Sequence, residues 1–379
     1  MSRKSKTKKS VYGVEHEQTV LVLQGGGALG AYQAGVYEGM HEQGFAPDWV
    51  AGVSIGAING ALIAGNPRDM RVERLREFWD RVSSGLPIVA PAQIDPVRIA
   101  VNRLSAAAAA AFGVPGFFVP RIPPAILAPD GTPGALSVYD TSPLRASLEE
   151  LVDFDLINDR KRIRLSVGSV NVRTGNSVYF DNRRQRLAVE HVMASGSLPP
   201  GFPPTEIDGD HYWDGGLVSN SPLSYVLKDS PDISALIIQV DLFSARGDLP
   251  VNLDQVLERA KDIQYSSKTR FNTMRAKEME ELRHALGRLL EKLPAKLRDD
   301  PDYKLLAPQC EDKRQITIAH LINRRFSTTT NAKDYEFSMA TVRELWEAGL
   351  DDIRRTCAHR EWLRAREVAD GVRVFDLTR

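Results

Sequence analysis

The stretch TVLVLQGGGALG, residues 19–30, decides the fold. Thr19 to Leu23 form an apolar, β-branched run, which predicts a buried strand. Gly25, Gly26 and Gly27 then break the extended chain into a tight turn. From Ala28 to Met40 the apolar residues recur at helical spacing. A second short strand is predicted at 49–51, followed by Gly52-Val53-Ser54-Ile55-Gly56 and an apolar helix over 57–64. Strand, helix, strand, helix within about fifty residues is the rhythm of a parallel sheet.

Further helices are predicted over 72–82, 141–152 and 189–195, and further strands over 163–170, 176–180 and 234–240. Residues 86–137 are rich in Pro, Ala and Gly and read as an insertion or lid. Phe112, Phe117, Phe118 and Ile122 there suggest a lid or membrane-touching surface, with a plain buried insertion as the equal alternative. Beyond Pro250 the chain becomes charged and helical, with one long helix or a helical pair over 253–293 and an amphipathic helix over 338–357. A strand-like run, QITIAHLI, interrupts them at 315–322. The expected organisation is therefore a basic arm at 1–13, a catalytic domain at 14–245 and a mainly helical C-terminal extension at 246–379.

Composition narrows the classes of function. The 379 residues hold 49 Lys plus Arg against 49 Asp plus Glu, so no global charge draws the chain to nucleic acid. Cys310 and Cys357 sit in no metal-ligand or C-x-x-C spacing, which fits a reducing compartment. No ligand cluster calls for a metal or organic cofactor. The basic start is not followed by the apolar core of a secretory signal, and no run is long and apolar enough to span a bilayer. A cytoplasmic protein, peripheral to the inner face of the membrane, is expected. The sequence sets no oligomeric state.

Three motifs carry chemistry. In Gly52-x-Ser54-x-Gly56, flanking glycines let a strand turn sharply into a helix and leave the serine uncovered. The following helix points its positive end at a developing oxyanion. The backbone amides of Gly25, Gly26 and Gly27 lack side-chain shielding, which suits an oxyanion hole or a phosphate cradle equally. Asp214-Gly215-Gly216 alone is an ordinary turn. It stands, however, in the frame WDGGLVSNSP at 213–222, preceded by MASGSLP at 193–199.

In this order, over roughly residues 20–220, the motifs resemble the patatin-like phospholipase family. The resemblance implies a three-layer α/β/α fold with a mostly parallel sheet. It implies hydrolysis of lipid acyl esters by a Ser54–Asp214 dyad, with no histidine and no cofactor. The amides around Gly25, Gly26 and Gly27 would hold the oxyanion. An ordinary carboxylate, with a pKa of about 4, is a weak base at neutral pH. A dry apolar pocket would raise that value. Two departures stand out. Leu29 occupies a place where the family usually has Arg, and Gln24 one where it often has Asp or Gly. The missing cation argues against a bound phosphate headgroup.

Three other readings remain open at this point. Gly25-x-Gly27-x-x-Gly30 followed by Asp48 matches a dinucleotide-binding fingerprint, although Asp48 precedes its strand. His211, His284, His320 or His359 could complete a Ser–Asp–His triad. A catalytically silent lipid-binding or interaction module is the third.

Overall fold

The computed structural model describes residues 18–85, 95–229, 234–310, 316–324, 332–359 and 372–376. The basic arm at 1–13 and the first part of the expected insertion lie outside them.

The chain alternates strands and helices. Strand β1 (Gln18–Leu23) leads through a glycine turn into α1 (Ala31–Glu42), then β2 (Trp49–Val53), α2 (Ile55–Ala64) and α3 (Arg71–Ser83). Helix α4 (Asp95–Phe112) and a small ribbon of β3 (Val119–Pro120) and β4 (Tyr139–Asp140) precede α5 (Ser142–Leu151) and α6 (Phe154–Asn158). Next come β5 (Arg164–Asn171), β6 (Ser177–Asp181), α7 (Val189–Ser195), β7 (Thr205–Ile207), β8 (Asp210–Asp214) and α8 (Leu223–Asp229). The chain continues with β9 (Ala235–Asp241), α9 (Leu253–Glu291), α10 (Pro301–Cys310), β10 (Ile316–Ile322), α11 (Met339–Ala358) and β11 (Val372–Phe375).

The sheet runs in the order β11-β10-β9-β1-β2-β5-β8-β7, with β6 also paired to β5. The six strands from β11 to β5 are parallel; β6, β7 and β8 run against their neighbours. Val20 pairs with Trp49 on one side and Ile237 on the other, so β1 is central. A parallel sheet covered on both faces needs strands apolar throughout. This is why TVLVL and SALIIQV read as runs rather than alternations. One face packs Leu21, Leu23, Ile238 and Val240 with α1, α2, α3 and α11. The other packs Val20, Val22, Trp49 and Ile237 against Leu223 and Val226 of α8. The fold is the expected three-layer α/β/α arrangement with a mostly parallel sheet.

The boundary expected near residue 245 is not a boundary in the sheet. Strand β10 pairs with β9 along its whole length, and β11 pairs with β10. Helix α11 packs so closely on α1 that glycines are required where the two meet. A Cβ on Gly349 would lie 2.0 Å from the Tyr32 carbonyl oxygen, and one on Gly35 would lie 1.9 Å from that of Trp346. The buried Tyr32 hydroxyl donates to Asp352 at 2.6 Å. The segment expected as an appended extension thus completes the core. Residues 253–291 form one helix, not a pair.

Candidate active site

Ser54 joins β2 to α2 with φ 56° and ψ −126°, a left-handed conformation that non-glycine residues rarely adopt. The turn tolerates only glycine on either side. A Cβ on Gly52 would lie 2.2 Å from the Gly56 carbonyl oxygen, and one on Gly56 would lie 2.4 Å from that of Leu23. Ser195 holds the strained residue in place. Its Oγ accepts the Ser54 N–H at 3.0 Å and donates to the Gly168 carbonyl at 2.6 Å. The Ser54 side chain makes no capping bond to α2, which leaves the hydroxyl free for other partners.

Asp214 ends β8, opposite Ser169 of β5, and is 2% exposed. Its N–H donates to the Ser197 carbonyl at 2.9 Å, and its Oδ1 accepts the Gly216 N–H at 2.7 Å. The Ser54 side chain and the Asp214 carboxyl line the same pocket. Burial pushes this carboxyl up to about 6, against a partial pull downward from Ser54 and the Gly216 N–H. The structure therefore brings together the two side chains singled out 160 positions apart.

The glycine turn lies beside them. Gly25, Gly26 and Gly27 line one pocket with Ser54 and Asp214. The three amides are not equivalent, in contrast to the sequence reading. The Gly25 N–H donates to the Asn220 carbonyl at 3.1 Å, and Asn220 Nδ2 returns a bond to the Gly25 carbonyl at 2.9 Å. That pair of bonds fixes the turn to the loop after β8 and occupies the Gly25 donor. Among the described residues, no protein acceptor takes the N–H of Gly26 or Gly27.

Gln24 has a structural role that accounts for its presence. Fully buried, its Oε1 accepts the N–H groups of Leu242 and Phe243 at 2.6 and 3.2 Å, and its Nε2 donates to the Tyr265 carbonyl at 3.1 Å. It braces the end of β1 to the exit of β9 and to α9. Leu29 is buried in the apolar core, so nothing cationic stands in its place.

The pocket's far wall is aromatic. Phe117, Phe118, Phe202 and Phe337 pack with ring centroids 5.2–5.9 Å apart, and Ile58 and Leu198 join them. This corrects the expected membrane-touching role of Phe117 and Phe118. They are 6% and 1% exposed, turned inward onto α3 and the pocket, whereas Phe112 and Ile122 are 81% and 95% exposed. Phe337, Tyr265, Asp334 and Tyr335 come from the C-terminal third, where the sequence carried no motif to flag them. Lys261 pairs with Asp334 at 2.7 Å, and Lys333 with Asp262 at 2.6 Å; both fasten this strap to α9. Among the described residues, no Lys, Arg or His lines the pocket.

Two rival readings meet obstacles in this geometry. Asp48 lies at the start of β2, the opposite end of the sheet from the glycine turn, and its Oδ2 accepts the Thr19 N–H at 3.0 Å. It cannot reach a nucleotide on that turn. None of His211, His284, His320 and His359 lines the pocket that holds Ser54, so none stands where a triad histidine would. Among the described residues no group of His, Cys, Asp and Glu could hold a metal ion, and no helix is long and apolar enough to cross a membrane.

A family model described as patatin-like phospholipase matches residues 21–227, more than half of the chain. The chain belongs to the patatin-like phospholipase family. A second model, described as patatin phospholipase, matches residues 263–369, the segment that supplies the strap, β10 and α11. The patatin-like phospholipase domain-containing protein ZK370.4 of Caenorhabditis elegans is 44% identical over 66 residues, 17% of this chain. The match spans about 5% of that protein's length, and so speaks for a shared segment alone. Among solved structures, VipD from Legionella pneumophila is similar at 15% identity and a TM-score of 0.32, over 90% of this chain and 69% of that one. Membership of the patatin-like family is thus carried by the sequence match, and it supports a lipid hydrolase.

Proposed function

We propose that the protein is a serine hydrolase that cleaves carboxylic-ester bonds of lipid-like acyl substrates, of phospholipase A type in its bond choice. The observation that carries this reading is the buried Asp214 carboxyl beside the Ser54 hydroxyl at the polar end of an aromatic pocket. Ser54 attacks the ester carbonyl while Asp214 takes its proton. The N–H groups of Gly26 and Gly27, with the N-terminus of α2, stabilise the oxyanion. The alcohol leaves with the proton held by Asp214. Asp214 then takes a proton from water, whose oxygen attacks the acyl-serine; the bond to Ser54 Oγ breaks, Asp214 returns the proton to that oxygen, and the acid is released. A carboxyl at about 6 is ionised at neutral pH yet far more basic than an ordinary aspartate.

The acyl chain occupies the Phe117, Phe118, Phe202 and Phe337 wall. With no cation in its lining among the described residues and the buried Asp214 carboxyl at its polar end, the pocket favours neutral or zwitterionic esters over anionic ones. Exposed Ile122, Ile126 and Leu127 lie in the segment that leads from Phe118 to Tyr139, and they offer an apolar contact to a lipid surface. Both cysteines are free thiols, in keeping with a cytoplasmic place at the membrane periphery. The test is a panel of neutral, zwitterionic and anionic acyl lipids with wild type and Ser54→Ala. Hydrolysis lost in Ser54→Ala supports the reading; equal hydrolysis in both, or none by wild type, contradicts it.

A further inference from the structure

A second concave site lies at the opposite end of the sheet. It is bordered by Gln18 at the start of β1, Asp48 before β2, and residues 161–164 leading into β5. A parallel strand of six residues puts it roughly 20 Å from the glycine turn. Among the described residues, six cationic side chains line it against the one carboxylate of Asp48.

Two of the six are neutralised within the protein. Arg164 pairs with Asp181 and Asp229, and Arg162 with Asp159 at 3.4 Å. The other four have no carboxylate partner among the described residues. Arg183 donates to the carbonyls of Arg160 and Arg162, and Arg68 to that of Gly44. The Lys161 ammonium is exposed. Arg71 is the telling one. It is 7% exposed, and its Nε and Nη1 donate to the Asn66 carbonyl and the Tyr37 hydroxyl, both uncharged, at 3.0 and 3.4 Å. A buried charge without a counter-charge is costly. Arg71 is also the first residue of α3, where the helix dipole disfavours a cation and no side chain caps the turn. An anion in the pocket would offset both penalties at once.

We propose that this pocket binds a multiply charged phosphate-type anion, with Arg71 at its base and Arg68, Lys161 and Arg183 around its rim. Guanidinium groups match phosphate oxygens in geometry as well as charge. The site faces away from the candidate catalytic mouth, so a membrane bound here could not present substrate to Ser54. A free phosphorylated small molecule fits that placement better than a lipid headgroup.

The test uses the full chain with two probes: inorganic pyrophosphate by calorimetry, and phosphatidylcholine vesicles doped with phosphatidylglycerol by sedimentation. Lys161→Glu and Arg183→Glu change exposed side chains and preserve the fold; Arg71→Met addresses the base. Pyrophosphate affinity is expected to fall at least about tenfold in each charge reversal and to weaken with added salt. If vesicle binding alone shows that sensitivity, the phosphate belongs to a headgroup. If neither probe binds wild type, or binding is unchanged in both charge reversals, the proposal is overturned. Should Arg71→Met fail to fold, the two rim variants decide.

Discussion

Ser195 Oγ takes the N–H of Ser54 and passes a bond on to the Gly168 carbonyl, so one buried hydroxyl ties the serine turn to β5. Ser54 holds its left-handed backbone because the surroundings fix it there. Ser195→Ala leaves that N–H and the Gly168 carbonyl without their partner. We expect kcat on a soluble ester to drop about 10- to 100-fold with KM nearly unchanged, since misplacing the hydroxyl harms the reacting geometry more than substrate burial. Steady-state kinetics with a thermal melt check it. A wild-type kcat would show that the turn holds its shape unaided.

The proposed mechanism makes Asp214 set the pH response. In it the carboxyl must be ionised to accept the Ser54 proton, so kcat/KM should rise through pH of about 6 and level off above it. A profile with no rise between pH 5 and 7, about one unit either side of that value, would place the base elsewhere.

The same carboxyl weighs on stability. Its folded pKa lies above the unfolded value of 3.8, so the protonated form is the one the fold favours. That stability is fully present below about pH 4 and is lost as pH rises through about 6. The difference is of the order of 3 kcal/mol. Asp214→Asn should therefore be more stable than wild type at pH 8 by more than it is at pH 4, as read by urea unfolding at the two pH values.

The α1–α11 seam admits no added carbon. Gly349→Ala puts a methyl group 2.0 Å from the Tyr32 carbonyl, between two backbones that cannot yield separately. A loss of at least about 2 kcal/mol is expected by chemical denaturation. Gly131→Ala is the control for added bulk: nothing lies within 4 Å of its Cβ, although its φ of 79° brings a smaller local cost.

Much of the site could be read from the chain, for local reasons. Gly52 is dictated by the Gly56 carbonyl of its own turn, and Gly56 and Gly215 by the carbonyls of Leu23 and Gly168 on adjacent strands, so the motifs around Ser54 and Asp214 carry their own geometry. The strands β1, β2 and β9 announce themselves because both of their faces are buried. What escaped was non-local. A parallel strand does not name its partner, so β10 and β11 gave no sign that they extend the same sheet. Phe117 and Phe118 stand among prolines and glycines like a surface loop, and only the rings of Phe202 and Phe337 from distant segments draw them inward. In the sequence the Gly25 amide is equivalent to its neighbours, and only the Asn220 carbonyl, almost two hundred residues later, occupies it.

The most direct test of the account is the rate at which a fluorophosphonate forms its adduct, with the modified peptide mapped by mass spectrometry. Wild type should carry the adduct on Ser54. Asp214→Asn, still folded by thermal melt, should react at least about a thousandfold more slowly because nothing takes the hydroxyl proton. An adduct on any other residue, or wild-type labelling of Ser54 in Asp214→Asn, would contradict the pairing of these two side chains.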